Sequence, residues 1–327
     1  MKRRKFIILL GGAAIAGAED ALAQRSDRLR HIGMLLPGSS RTHGSYIAAF
    51  RQGLVELGYT EGHQFALELA LAEGQLDRLP SLASDLVARK VDVIVTGSTQ
   101  ATLAAREATT SIPIVQAGGG DLVRLGVVPN LAHPDGNVTG LNNESSDLSS
   151  KLLEMLVLLI PTLSRVGVLS NPRNPVNEWK VANIQEGARS LNVATEVVPV
   201  SEKAALDGAF ETLAHEDLGG LVVLDDALFV ANARHIVDLA ARTHLPTVYP
   251  FRAFVDAGGL MSYGVSLADN YHRAATFAYR ILNGAIPVDL PVEQPTKFQL
   301  VINSKAAKTL GIPVSPSILV RADEVIE

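Results

Sequence analysis

Small hydroxyls, amides, glycines and carboxylates gather in this chain immediately after short runs of β-branched residues. Ser39 and Ser40 follow the run His31–Leu36, Ser98 and Thr99 follow Asp92–Val95, and Gly119 and Asp121 follow Pro113–Gln116. Asn142 comes after Val138–Gly140, Asn171 and Asn174 after Val166–Leu169, and Asp226, beside Asp225, after Gly220–Leu224. Tyr249 closes the run Pro246–Tyr249 and Phe251 follows it, while Tyr263 follows Gly259–Ser262. Such a set suits reversible recognition of a zwitterion. N–H and hydroxyl donors meet a carboxylate, an Asp meets an ammonium, and rings flank a side chain. Plainer roles remain open at each position: Ser98 and Thr99 are good helix N-caps, the Asp pair can cap a helix near Phe229, and the rings can be packing.

Other chemistries find little support. There is no phosphate-binding G-x-x-x-x-G-K-[ST] loop, and Gly118-Gly119-Gly120 does not open directly into a helix as a dinucleotide-binding turn would. The eight histidines are scattered with no H-E-x-x-H spacing, and no G-x-S-x-G elbow occurs. The absence of cysteine excludes disulfides, thiol nucleophiles, Cys-based zinc sites and a lipidated-cysteine anchor. No catalytic residue, metal ligand or cofactor is assigned. A triad assembled in space stays open, as does an exported enzyme using Asp121 or the Asp225-Asp226 pair as acid and base or around a divalent cation.

The positioning elements follow from the alternation of these runs with longer amphipathic stretches, the pattern of βαβ units and parallel sheets. Helices are expected near Gly44–Leu57, Leu76–Arg89 and Thr99–Ala108, then near Pro175–Leu191, Lys203–His215 and Phe229–Arg242, with a further strand at Phe65–Ala70 and another at Ala194–Val198. The second series echoes the first: His31–Pro37 resembles Arg165–Pro172, Ser111–Val115 resembles His244–Val248, and Asn137–Gly140 resembles Gly259–Gly264. Two doubly wound, Rossmann-like α/β lobes are expected, with ligands held beyond the carboxyl ends of their strands. A helix at Leu267–Asn283 should return to the first lobe, and a strand at Lys297–Ile302 should join the second, followed by a short helix at Lys305–Leu310. The resulting division is 29–141 plus 265–288 for the N-terminal lobe and 142–264 plus 289–327 for the C-terminal lobe.

Residues 1–23 read as a signal peptide: Lys2, Arg3, Arg4 and Lys5, an apolar run Phe6–Ala18, and Ala21-Leu22-Ala23 before the cut. Arg3-Arg4 also fits twin-arginine export. The net charge of −5 becomes about −7 once this segment is removed, which argues against nucleic acid as the main partner. No long apolar run follows, so no membrane span is expected in the mature chain.

Many of these stretches also carry a family resemblance. They include Phe50-Arg51-Gln52-Gly53-Leu54, Val91–Val95, Gly136–Gly140, Asn171-Pro172 with Asn174-Pro175, and Ala257–Gly264. The tail is the most specific, with Leu290–Phe298, Val301-Ile302-Asn303 and Arg321–Ile326. The chain resembles ABC-transporter substrate-binding proteins related to the tryptophan/tyrosine-binding group, of the type I periplasmic-binding fold. The resemblance implies a two-lobed binder with a three-strand hinge; the export segment and the lack of cysteine point to an unanchored periplasmic protein, and a monomer is expected. Its ligand would be a small amino-acid-like or aromatic carboxylate solute, and its partner an inner-membrane ABC permease with its ATPase; a receptor feeding chemotaxis is the other outlet. It points to Ser98, Thr99, the Gly119–Asp121 loop, Asn171, Asp226 and Tyr249 or Phe251. Gly118-Gly119-Gly120 and Leu141-Asn142-Asn143-Glu144 depart from the family pattern, which leaves the ligand open.

Overall fold

The computed structural model describes residues 28–143 and 148–327, so the export segment expected at 1–23 lies outside the described residues. Strands β1 (Arg30–Leu36), β2 (Phe65–Leu71), β3 (Val93–Thr96), β4 (Ile114–Gln116) and β5 (Val138–Gly140) form a parallel sheet in the order β2-β1-β3-β4-β5. Strands β6 (Arg165–Ser170), β7 (Ala194–Pro199), β8 (Gly220–Val223), β9 (Thr247–Tyr249) and β10 (Met261–Gly264) repeat that order as β7-β6-β8-β9-β10. The second sheet is extended by β11 (Gln299–Asn303), antiparallel to β10, and β12 (Glu324–Ile326), parallel to β11. Central strands β3 and β8 are buried along their whole length. Helices cover both faces, so these strands read as unbroken apolar runs rather than alternating ones.

Helices α1 (Ser40–Glu56), α2 (Leu79–Ala88) and α3 (Thr99–Ala108) wind around the first sheet. Around the second lie α4 (Leu148–Leu159), α5 (Pro175–Ser190), α6 (Leu206–His215), α7 (Ala227–Ala231), α8 (Ala233–Arg242) and α9 (Arg252–Asp256). The remaining helices are α10 (Leu267–Leu282), α11 (Ser304–Thr309) and α12 (Pro316–Leu319). The single helix expected over Phe229–Arg242 is two. Asn232 donates its side-chain amide to the Leu228 carbonyl at 2.8 Å, and that local bond replaces helix continuation. Helices α4, α9 and α12 and strand β12 are additions to the expected elements.

The chain passes between lobes three times, between β5 and α4, between β10 and α10, and between Glu293 and β11. Helix α10 returns to the first lobe, where Tyr271, Ala275 and Phe277 share a core with Phe50 and Leu54 of α1. The two backbones approach so closely at Gly53 that a β-carbon there would stand 2.5 Å from the His272 carbonyl oxygen. The strip 289–293 also belongs with the first lobe, not the second as expected. Leu290 is buried in that core, Thr139 Oγ1 donates to its carbonyl at 2.5 Å, and Glu293 N donates to the Gly140 carbonyl at 2.9 Å. The boundary expected after residue 288 therefore moves to the far side of this strip, after residue 293. Gly140 and Gly264 end the echoed strands β5 and β10, and each lies against the end of the neighbouring strand. An added β-carbon would sit 2.2 Å from Gln116 O and 1.9 Å from Pro250 O respectively. Among the described residues no helix is long and apolar enough to cross a membrane.

Candidate functional site

The loops at the carboxyl ends of both sheets enclose a narrow cleft between the lobes. Its first-lobe wall is built from Gly97, Ser98, Thr99 and Gln100 after β3, Gly119 after β4 and Asn143 after β5. Asn174, Asp225 and Phe251, after β6, β8 and β9, face them from the second lobe. His43 and Tyr46 of α1 and Leu267 and Tyr271 of α10 close one side. Among the described residues no Lys or Arg lines this space.

Asp226 anchors the second-lobe wall. Oδ1 accepts from Asn171 Nδ2 at 3.0 Å and Leu228 N at 2.8 Å, and Oδ2 accepts from Asn174 Nδ2 at 2.8 Å. A fourth bond comes from across the cleft, where Gln100 Nε2 donates to Oδ2 at 3.3 Å. Burial pushes the Asp226 carboxyl above the usual carboxylate range, while the bonds from Asn171, Asn174 and Leu228 pull it back and nearby Asp225 pushes it up. Asp225 contacts the buried Lys180, whose Nζ donates to the Asp225 carbonyl at 3.0 Å and lies 3.6 Å from its carboxylate. At the rim Arg173 pairs with Asp77 of the other lobe. The lobes are thus in contact, and the cleft is closed.

On the opposite wall Ser98 caps α3, its Oγ accepting from Ala101 N at 3.1 Å, and Thr99 Oγ1 accepts from Gly120 N at 2.9 Å. Each hydroxyl keeps its own proton for donation. They stand at the amino end of a helix of ten residues, where unpaired N–H groups and the helix dipole favour negative charge. One wall therefore suits an anionic group and the other a cationic one.

Of the thirteen residues expected here, Ser98, Thr99, Gly119, Asn174 and Phe251 line the cleft. Asp226 and Asn171 lie directly behind its surface, bonded to each other. Asn142 is also behind the wall, its Oδ1 3.4 Å from both Gln116 Nε2 and Leu122 N. Five take other roles. Ser39 forms a capping box with Thr42 at the start of α1, and Ser40 is the exposed first residue of that helix. Asp121 turns into its own loop, accepting from Val123 N at 2.9 Å and Arg124 N at 3.2 Å, and lines a separate cavity beside Trp179. Tyr249 is 1% exposed and stacks on Phe254 at 4.8 Å in the second-lobe core. Tyr263 pairs with Phe298 at 5.9 Å beside the β10–β11 junction. Alternation along a strand sends these two rings to the sheet faces instead of the strand ends.

His43, Tyr46 and Tyr271 have no counterpart among the residues expected from sequence. Both tyrosines sit on the buried faces of amphipathic helices, a signal that reads equally as core. His43 carries a pH consequence. It is 2% exposed, its Nδ1 lies 3.0 Å from Thr42 Oγ1, and burial holds its pKa down at about 4 against an ordinary 6.5. The unfolded chain takes up this proton below about pH 6.5 while the folded chain does not. The resulting stability is complete above pH 6.5 and lost as pH falls towards 4, by up to about 3 kcal/mol. Denaturation midpoints between pH 7 and 4.5 should show this slope, and His43→Gln should flatten it.

Comparison with known proteins gives a consistent set. A family model described as ABC transporter substrate binding protein matches residues 40–326. A tyrosine-binding protein of Clostridioides difficile (strain R20291) is 26% identical over 263 residues, 80% of this chain and 75% of that protein. The crystal structure of an ABC domain in complex with L-Trp from Streptococcus pneumonia superposes with a TM-score of 0.85 at 24% identity, covering 91% of this chain and all of that one. A ligand-free, open substrate binding protein with adhesive properties from Clostridium difficile gives 0.65 at 22% identity, covering 91% of this chain and 99% of that one. These structures show the expected fold, two α/β lobes of the type I periplasmic-binding kind.

Proposed function

Because the chain belongs to the ABC transporter substrate-binding protein family, we propose that it captures an amino acid between its lobes and presents it to an inner-membrane permease driven by an ATPase. Export by the segment at 1–23 would place it in the periplasm, where such a permease collects its cargo. The observation that carries the ligand class is the charge arrangement of the cleft. Asp225 lines it with Lys180 Nζ 3.6 Å from its carboxylate, Asp226 lies beneath its surface, and among the described residues no Lys or Arg lines it. An ammonium group is stabilised there, and a ligand with only a carboxylate is not. The carboxylate of a zwitterion has the hydroxyls of Ser98 and Thr99 and the amino end of α3. The tyrosine named for one relative and the L-Trp bound to another have this pattern of head groups. The higher TM-score to the L-Trp complex than to the open protein supports reading the contact between lobes as the ligand-holding arrangement.

Acid–base chemistry on the same scaffold draws no such support. Both oxygens of Asp226 are occupied by donors, and Asp121 is bonded into its own loop.

Calorimetry and thermal shift with the twenty standard L-amino acids, their des-amino acids and the corresponding amines test the proposal. The expected result is binding of at least one amino acid with affinity lost in its des-amino form. Binding of acids that lack the amino group, or none across the series, overturns it.

A further inference from the structure

Among the described residues, two buried polar atoms on residues lining the cleft lack a hydrogen-bond partner: Oε1 of Gln100 and the hydroxyl of Tyr271. An unpaired buried group costs about 1–3 kcal/mol, and native structures keep such groups where something else supplies the partner. Neither atom can be satisfied by a local rearrangement. The Gln100 amide is oriented by Asp226, which accepts from Nε2 at 3.3 Å, and reversing it would set Oε1 against a carboxylate. Oε1 is therefore presented as an acceptor. The Tyr271 ring is fixed by stacking on Tyr46, with centroids 5.4 Å apart and planes 18° from parallel. Its oxygen occupies space that exists only because residue 97 is glycine, where a β-carbon would stand 2.2 Å away. Burial raises the Tyr271 pKa far above its ordinary value, so the phenol keeps its proton and can donate.

We propose that Gln100 and Tyr271 are specificity-determining residues of the cleft: Gln100 Oε1 accepts from a primary ammonium of the ligand, and the Tyr271 hydroxyl donates to its carboxylate. This rests on the amino-acid reading above and adds the residues that enforce it. Gln100 is the link between recognition and closure. One end of its amide bonds Asp226 of the other lobe, and the other end has a place for the ligand's N–H. A ligand without a donor leaves that oxygen buried and unpaired in the closed form, so closure on it is disfavoured. The pair thus selects against des-amino acids and against trimethylammonium analogues, which carry charge but no N–H.

The test is calorimetry on the full mature chain with four probes: L-tyrosine, 3-(4-hydroxyphenyl)propanoate, L-alanine and propanoate. Wild type should prefer an amino acid to its des-amino partner by at least about tenfold. Gln100→Leu should lower amino-acid affinity and erase that preference, a change in ratio that simple damage to the fold would not produce. Tyr271→Phe should keep or slightly raise Tm, because it removes an unpartnered hydroxyl, while weakening amino-acid binding about tenfold. If both variants bind with wild-type affinity and ratio, the assignment of these residues is overturned while the amino-acid reading stands. If wild type shows no preference for the amino group or binds none of the probes, the amino-acid reading for these ligands falls and the pair falls with it.

Discussion

Replacing Asp226 with alanine is expected to lower stability by about 2–4 kcal/mol and to reduce amino-acid affinity at least about a hundredfold. Three donors of the second lobe, Asn171 Nδ2, Asn174 Nδ2 and Leu228 N, converge on this carboxylate, and all three belong to buried residues. Alanine leaves them without an acceptor where water is excluded, and removes a negative charge from beneath the cleft surface. Asp225→Ala is the control, since that side chain lies nearer solvent and accepts none of these bonds; it should lose affinity with a smaller fall in Tm. Two observations would count against the assignment: an unchanged Tm for Asp226→Ala, or unchanged affinity. The pH dependence has a definite sign. Because burial raises the Asp226 pKa in the folded chain, the folded state holds a proton that the unfolded state has released over the interval above 3.8. This group's contribution to stability therefore improves as pH falls through that interval, opposite in sign to that of His43. A bound ammonium favours the ionised carboxylate, so affinity should fall on acidification.

Sequence pattern located the lobes well because the physics there is local. A run such as Val91–Val95 has few alternatives to a buried parallel strand, and the echo of His31–Pro37 in Arg165–Pro172 anticipates the shared order of β2-β1-β3-β4-β5 and β7-β6-β8-β9-β10. Strand ends also pointed to Ser98, Thr99, Gly119 and Asn174, since loops there must face the cleft. The misses have other causes. Helix α4 carries a plain apolar stripe of Leu148, Leu152, Leu156 and Leu159, yet it sits at the junction of the two repeats, where the echo gives no guide. Tyr271 reaches the cleft from α10, which re-enters the first lobe after the whole second lobe has been traced. Its place depends on a contact between segments far apart in sequence, and a 3.6-residue period reports burial without saying whether the neighbour is core or ligand. Tyr249 was misplaced for the converse reason: the last residue of a strand points to a face or beyond the end according to a register that composition does not set.

Gly120→Val is expected to hold the two lobes apart and to cost about a hundredfold in affinity while leaving each lobe folded. Gly120 stands where the lobes meet. A β-carbon on it would lie 2.6 Å from Val176 Cγ1 of α5, a separation that real contacts do not reach, and its backbone conformation is open to any L-residue. Within the first lobe the nearest obstacle is Thr99 Oγ1 at 3.3 Å, which a small side-chain shift accommodates. The clash therefore penalises the closed form and spares the open one. A penalty of about 2.7 kcal/mol on closure is a factor of about one hundred in apparent affinity. Small-angle scattering with saturating amino acid should show the compaction of wild type and little or none in the variant, and Tm without ligand should stay within about a degree or two of wild type. The double variant Gly120→Ala/Val176→Ala separates a wedge from general damage. Cγ1 is gone from that pair, so closure and affinity should return towards wild type, whereas Gly120→Ala alone should remain impaired. Full affinity in Gly120→Val would mean that the cleft does not need to close as tightly as Gln100 and Asp226 are seen to close it.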